Sequence, residues 1–232
     1  AEDILLTHDE AYFLRLMEQQ LTASEQRVIG FPQSEQLTNR ELIITQGTID
    51  CALFALEHGC AMNVAGGTHH AFADRGEGFC LLNDMAVAAN YLLHRNLVKR
   101  ILIIDLDVHQ GNGTAEIFQN DDRVFTFSMH AEHNFPFRKE RSDLDIGLAD
   151  GISDTEYLSI LEQHILPLLD DFAPDFVFYL SGVDQEESIL VLFPTASNPA
   201  HREVLFLRET NETIAIWEGE KLTKAKALET SG

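Results

Sequence analysis

ILIIDLDVHQGNGT, residues 101–114, changes character at its fifth position, where four apolar residues give way to Asp105, Asp107 and His109 and then to Gly111 and Gly113. A short, unbroken apolar run is the pattern of a parallel strand buried on both faces. Runs of the same kind stand at residues 124–127 (VFTF) and 176–180 (FVFYL). Residues 84–94 and 154–171 carry apolar positions at helical spacing and alternate with these runs. Alternating strands and helices predict an α/β fold with a parallel sheet, whose sites lie at the carboxyl ends of the strands. Further upstream, Tyr12, Phe13, Leu16, Met17 and Leu21 predict a helix over residues 9–22. Leu42, Ile43, Ile49, Leu53 and Leu56 predict another over residues 40–57, stopped by Gly59, with Gly30-Phe31-Pro32 and Ser34 as the loop between the two.

At 232 residues and 26.1 kDa the chain has room for one α/β domain, or for one domain and a small appendage. No apolar run approaches the roughly 20 residues of a membrane span, and the chain does not open on a basic-then-apolar leader. The expectation is a soluble, cytoplasmic protein with no membrane partner. Cys51, Cys60 and Cys80 are odd in number and form no CxxC pair, which argues against a disulfide framework and against a cysteine zinc site. Against 16 basic residues stand 38 acidic ones, a formal charge of -22, so a surface built for direct nucleic-acid binding is not expected. Such acidity favours encounter with basic substrates such as lysine-rich tails, and it serves solubility equally well.

Three clusters end or follow predicted strands: Gly66-Gly67-Thr68-His69-His70 with Gly78-Phe79-Cys80 after it, the run from Asp105 to Gly113, and Ser181-Gly182-Val183-Asp184. In an extended segment residues two apart share a face, so Asp105, Asp107 and His109 are expected to point the same way. Two carboxylates and an imidazole that converge need a cation. Asp107 and His109 from one strand end, with Asp184 from another, make an oxygen-and-nitrogen site of three protein ligands with room for water, as a hydrolytic zinc site requires. Taken singly, an Asp-x-His is more often a hydrogen-bonded strand end, paired histidines are more often loop residues, and the flanking glycines are turn residues. Their joint occurrence in this order favours chemistry.

GGTHHAFADRGEGFCLLND, DLDVHQGNGT and YLSGVD together resemble the histone deacetylase superfamily, particularly its bacterial and class IV-like branch. The resemblance runs from LLTHDEAYFLRL, which starts at Leu5, to Asp184. It implies a parallel-sheet, arginase/deacetylase-like α/β fold in residues 1–184 and removal of acetyl groups from acetyl-lysine or a related acetylated amine. It further implies that Asp107, His109 and Asp184 hold Zn2+, and that His69 and His70 flank the water on the metal. Asp105 would orient His69, leaving it cationic, while His70 would be the general base and then general acid. Asn112 falls where some relatives carry an aspartate behind the second histidine; a neutral amide can orient His70 without raising its pKa by opposite charge. Gly78 and Phe79 would line an acyl-lysine tunnel opposite Phe135. Asp105, Asp107, His109, Ser128 and Met129 match positions where the family binds a structural K+ or Na+. Gln110 replaces a histidine found in many members and is given no catalytic role.

The ends depart from the family pattern. Relatives usually carry a further N-terminal strand, and after the last aspartate an Asp-x-Leu-Gly segment, more strands and a glycine-rich loop with an oxyanion-binding tyrosine. Tyr12, Tyr91, Tyr157 and Tyr179 lie in no such loop, so the expectation is a shortened fold whose activity is reduced on the order of a hundredfold or more. Residues 185–232, with short predicted strands at 189–193, 203–207 and 213–217, resemble instead the N-terminal domain of aminopeptidase P-like enzymes. That likeness rests on Leu205-Phe206-Leu207-Arg208 and Trp217-Glu218-Gly219. Ile189, Val191, Phe193, Leu205, Leu207 and Trp217 are too apolar to leave in water, which predicts packing against the sheet or a second copy in a homo-oligomer. The rival to a deacetylase is a non-catalytic metal-binding or structural fragment joined from two incomplete domains.

Overall fold

The computed structural model describes residues 2–182, and beyond them the backbone of two strands, residues 188–192 and 203–207. By its contacts the chain divides into Ala1–Gly182 and Val183–Gly232. In the first unit four parallel strands form one sheet in the order β3-β2-β1-β4: β1 (Ile101–Asp105), β2 (Val124–Ala131), β3 (Leu144–Leu148) and β4 (Phe176–Leu180). In the second, β5 (Ser188–Leu192) pairs antiparallel with β6 (Glu203–Leu207). The predicted strand at 213–217 lies outside the described residues, as do the tail side chains expected to pack.

β1 is buried along its whole length, as its apolar run predicts. Its side chains alternate between two cores. Ile101 and Ile103 join Phe178 and the helices α1 (Glu10–Met17), α3 (Glu35–His58) and α4 (Asp84–His94) on one face, while Leu102 and Ile104 join Phe127, Met129 and α6 (Asp154–Phe172) on the other. β4 departs from the expectation of burial on both faces. Val177 and Tyr179, in register with Leu102 and Ile104, are 40% and 59% exposed, since among the described residues α6 packs over the other three strands and not over that face of β4.

Four elements were not expected from apolar pattern: a 3-10 turn (Ile4–Leu6), α2 (Ala23–Ile29), α5 (Asn112–Phe118) and β3. α2 is started by a capping box, in which Thr22 and Glu25 satisfy each other's backbone N–H groups. The predicted helix at 9–22 ends early at Met17, and the chain then turns through a left-handed Gln19. α3 begins five residues sooner than predicted because the Ser34 hydroxyl accepts from Leu37 N. Among the described residues, no helix is long and apolar enough to cross a membrane.

His8 ties the N-terminal segment to α4. Its Nε2 accepts the Asn83 backbone N–H at 3.0 Å, and burial lowers its pKa to about 4. Nδ1 makes no well-aligned hydrogen bond, although the Ala73 and Phe72 carbonyls lie near enough to favour its proton. With the folded pKa below the unfolded value of 6.5, the unfolded chain binds the extra proton between the two, so His8 contributes stability above pH 6.5 that is lost as pH falls toward 4. Urea unfolding of the metal-free protein should therefore lose about 2 kcal/mol more between pH 7 and pH 5 than the His8→Gln variant does. Parallel pH dependences in the two proteins would contradict this.

Candidate active site

Asn83 and Asp84, at the start of α4, hold the loop that carries the paired histidines. The buried Asp84 carboxylate accepts from Gly67 N at 3.0 Å, Thr68 N at 2.8 Å, Thr68 Oγ1 at 2.8 Å and Thr48 Oγ1 at 2.5 Å. Asn83 Nδ2 donates to Ala71 O at 3.1 Å and Thr114 Oγ1 at 3.0 Å, while Thr114 N donates to His69 O at 3.1 Å. The backbone is thus fixed on both sides of His69 and His70, whose rings lie 4.1 Å apart. Sequence reasoning passed over Asn83, Asp84 and Thr48, although an Asn-Asp pair opening a helix is a readable capping signal.

The two histidines have different partners. His69 Nδ1 meets Asp105 Oδ2 at 2.6 Å, and His70 Nδ1 meets Asn112 Oδ1 at 2.7 Å. Burial opposes a charge on His69, but the Asp105 carboxylate, with Asp107 behind it, outweighs burial and raises the pKa to about 9. Burial and the neighbouring His69 charge push His70 down to about 3, against a smaller upward effect of its bond to Asn112. The pair is therefore one imidazolium beside one neutral imidazole at neutral pH.

Asp105, Asp107 and His109 are linked one to the next by hydrogen bonds and not by strand alternation, since β1 ends at Asp105. Past that point the carboxylates fold the backbone on themselves. Asp105 Oδ1 accepts from Asp107 N at 3.0 Å, and Asp107 Oδ1 accepts from His109 N at 2.8 Å. Asp107 Oδ1 then lies 3.0 Å from His109 Nδ1 and 3.8 Å from His69 Nε2. Burial works against the Asp107 charge, but the His109 hydrogen bonds and the His69 charge hold its carboxyl below the ordinary range. The end of β4 reaches the same place: a Cβ on Gly182 would lie 2.4 Å from Asp107 Cα, so this close approach requires glycine.

Among the described residues no three His, Cys, Asp or Glu side chains are spaced to hold a metal. Asp184, the expected third ligand, lies outside them. The two described donors, a nitrogen and a carboxylate oxygen 3.0 Å apart, are near enough to reach one ion, and a tetrahedral zinc with bonds of roughly 2.0–2.2 Å would spread them to about 3.4 Å.

Phe135 stacks edge-on to His70 at 5.0 Å, and Gly78 lies against both rings. Phe79, 62% exposed, is propped on Phe31 at 5.1 Å. Phe137 points away into solvent. Ser128 pairs in register with Asp105, but its hydroxyl bonds His130 Nδ1 at 2.9 Å, and Met129 is fully buried in the core. Gln110 spans to Asp145 and the Glu140 backbone, a structural tie. Glu77, which reasoning from sequence also missed, accepts from Asn112 Nδ2 at 3.3 Å.

Residues 1–188 match the model of the histone deacetylase domain, and residues 173–232 match that of the N-terminal domain of aminopeptidase P. An uncharacterized protein of Picosynechococcus sp. is 54% identical over 77% of this chain and 60% of its own length. Histone deacetylase 2 of Arabidopsis thaliana is 32% identical over 78% of this chain and 49% of its own. The crystal structure of an HDAC homolog from Aquifex aeolicus superposes with a TM-score of 0.66 and 32% identity, covering 77% of this chain and 54% of that one. The chain thus spans about half the length of the relatives it matches. With its parallel sheet, its paired histidines and the carboxylates at the end of β1, the chain belongs to the histone deacetylase family.

Proposed function

We propose that this chain is a zinc-dependent amide hydrolase that removes acetyl groups from acetyl-lysine or a related acetylated amine. One observation carries the reading: two touching imidazoles, one charged by Asp105 and one kept neutral by burial and bonded to Asn112, stand beside the adjoining Asp107 and His109 donors. Asp107 and His109, with Asp184, would hold the ion. Zinc, when bound, supplies Lewis-acid polarisation of the scissile carbonyl and a water of lowered pKa. His70 takes the proton from the attacking water on its Nε2 lone pair and returns it to the leaving amine. His69 stays protonated and stabilises the negative charge that develops on the carbonyl oxygen. Phe79 and Phe135 offer apolar walls to the extended acyl-lysine stem and exclude water from the reacting atoms.

Zinc-loaded protein should release acetate from an acetyl-lysine peptide, and the metal-free protein should release none. Zinc binding without acetate release from acetylated peptides or acetylated small amines would replace this reading with a non-catalytic metal site.

A further inference from the structure

We infer that Glu77 sets the tautomer of His70 through the Asn112 side chain. The inference deepens the proposed function, and its spectroscopic test stands apart from it.

The two ends of an asparagine amide are nearly equal in shape and opposite in hydrogen-bonding sense, so the site of Asn112 accepts the group either way round unless a neighbour chooses. On one side of the amide is a ring nitrogen of His70, which can donate or accept. On the other is a Glu77 carboxylate oxygen, 3.3 Å from Nδ2, which as a carboxylate only accepts. Glu77 therefore turns the NH2 toward itself and Oδ1 toward His70. Oδ1, 2.7 Å from His70 Nδ1, requires the proton on Nδ1 and leaves the lone pair on Nε2, the form a proton acceptor needs. With the amide reversed, Nδ2 would face His70 Nδ1, the ring proton would move to Nε2, and the base would be lost. A wrong histidine tautomer is known to be enough to cripple a hydrolase.

Asp105 needs no such neighbour, because both of its oxygens accept. Asn112 does, and Glu77 is mounted to serve it. Glu77 and Cys80 exchange backbone hydrogen bonds of 3.0 and 2.9 Å. The next two residues are tied to the end of α2, Gly78 N to Val28 O at 3.2 Å and Phe79 N to Ile29 O at 2.7 Å. Gly78 sits so close to the ring that a Cβ would lie 2.8 Å from His70 Cδ2. One rigid loop thus borders the His70 ring and carries the carboxylate that orients its partner.

The test uses the full chain labelled with 15N-histidine and three variants. Glu77→Gln keeps the size but presents either sense, Glu77→Lys presents only donors, and Glu77→Lys/Asn112→Asp replaces the amide by a group with no sense to set. NMR should find His70 as the Nδ1–H tautomer in the parent, a mixture in Glu77→Gln, and the Nε2–H tautomer in Glu77→Lys. The double variant should return to Nδ1–H. In turnover of an acetyl-lysine peptide, kcat should fall on the order of a hundredfold in Glu77→Lys with KM little changed, and should recover in the double variant. An Nδ1–H tautomer in both single variants, or a loss of kcat that Asn112→Asp does not restore, overturns the assignment. Should the parent hydrolyse no acetylated substrate, the proposed function fails while the tautomers still decide the role of Glu77.

Discussion

His70→Ala is expected to lower turnover of an acetyl-lysine peptide by roughly a hundredfold to ten-thousandfold, the range for losing a general base and acid. Among the described residues there is no substitute. His69 has its Nδ1 committed to Asp105 at 2.6 Å and carries a proton up to about pH 9, so it has no lone pair to offer at neutral pH. His109 is turned to Asp107, one of the expected metal ligands. His70 alone combines burial, a pKa pushed down to about 3 and a ring in contact with both the charged histidine and Phe135. Because its fold-holding contacts run through the backbone clamp of Asn83 and Asp84, the variant should stay folded and bind zinc as the parent does. His133→Ala, at an exposed loop histidine, should leave the rate unchanged. A His70→Ala protein with the parent rate would remove the proton shuttle from this account.

What the sequence made legible were features with a period or an order. The runs at 101–104 and 176–180 became β1 and β4, and the helix at 84–94 became α4, because continuous apolar stretches and 3.6-residue spacing report burial directly. The His-His pair, Asp105 and Asn112 do meet, His69 on Asp105 and His70 on Asn112, while Asp184 lies outside the described residues. Elements held by local polar bonds were harder to read. α2 rests on the Thr22–Glu25 box and α5 on seven residues without a side-chain cap, and neither has an apolar stripe long enough to register. β4 was over-read, since an apolar run does not tell a strand part-exposed on one face from one buried on both. Within the site, Glu77 and Asp84 were invisible as functional residues. A surface-composition carboxylate and a helix-opening aspartate gain their meaning only from the atoms they meet, Asn112 Nδ2 for one and the Gly67 and Thr68 amides for the other.

Asp107→Ala should have the largest effect on metal. It removes an expected carboxylate ligand and with it the Oδ1 atom that the His109 backbone N–H and Nδ1 both meet, at 2.8 and 3.0 Å. Loss of a group that merely orients a ligand costs about 10–100-fold in affinity, so loss of a ligand that also orients its neighbour should cost more than about a hundredfold. The measurement is zinc stoichiometry and affinity by titration of the metal-free full chain, in parallel for the parent, Asp107→Ala and His70→Ala. About one zinc per chain is expected in the parent and in His70→Ala, and none held at comparable concentration by Asp107→Ala. A folded parent that binds no zinc, or that binds it as tightly after Asp107→Ala, would contradict the claim that the end of β1 is a metal site.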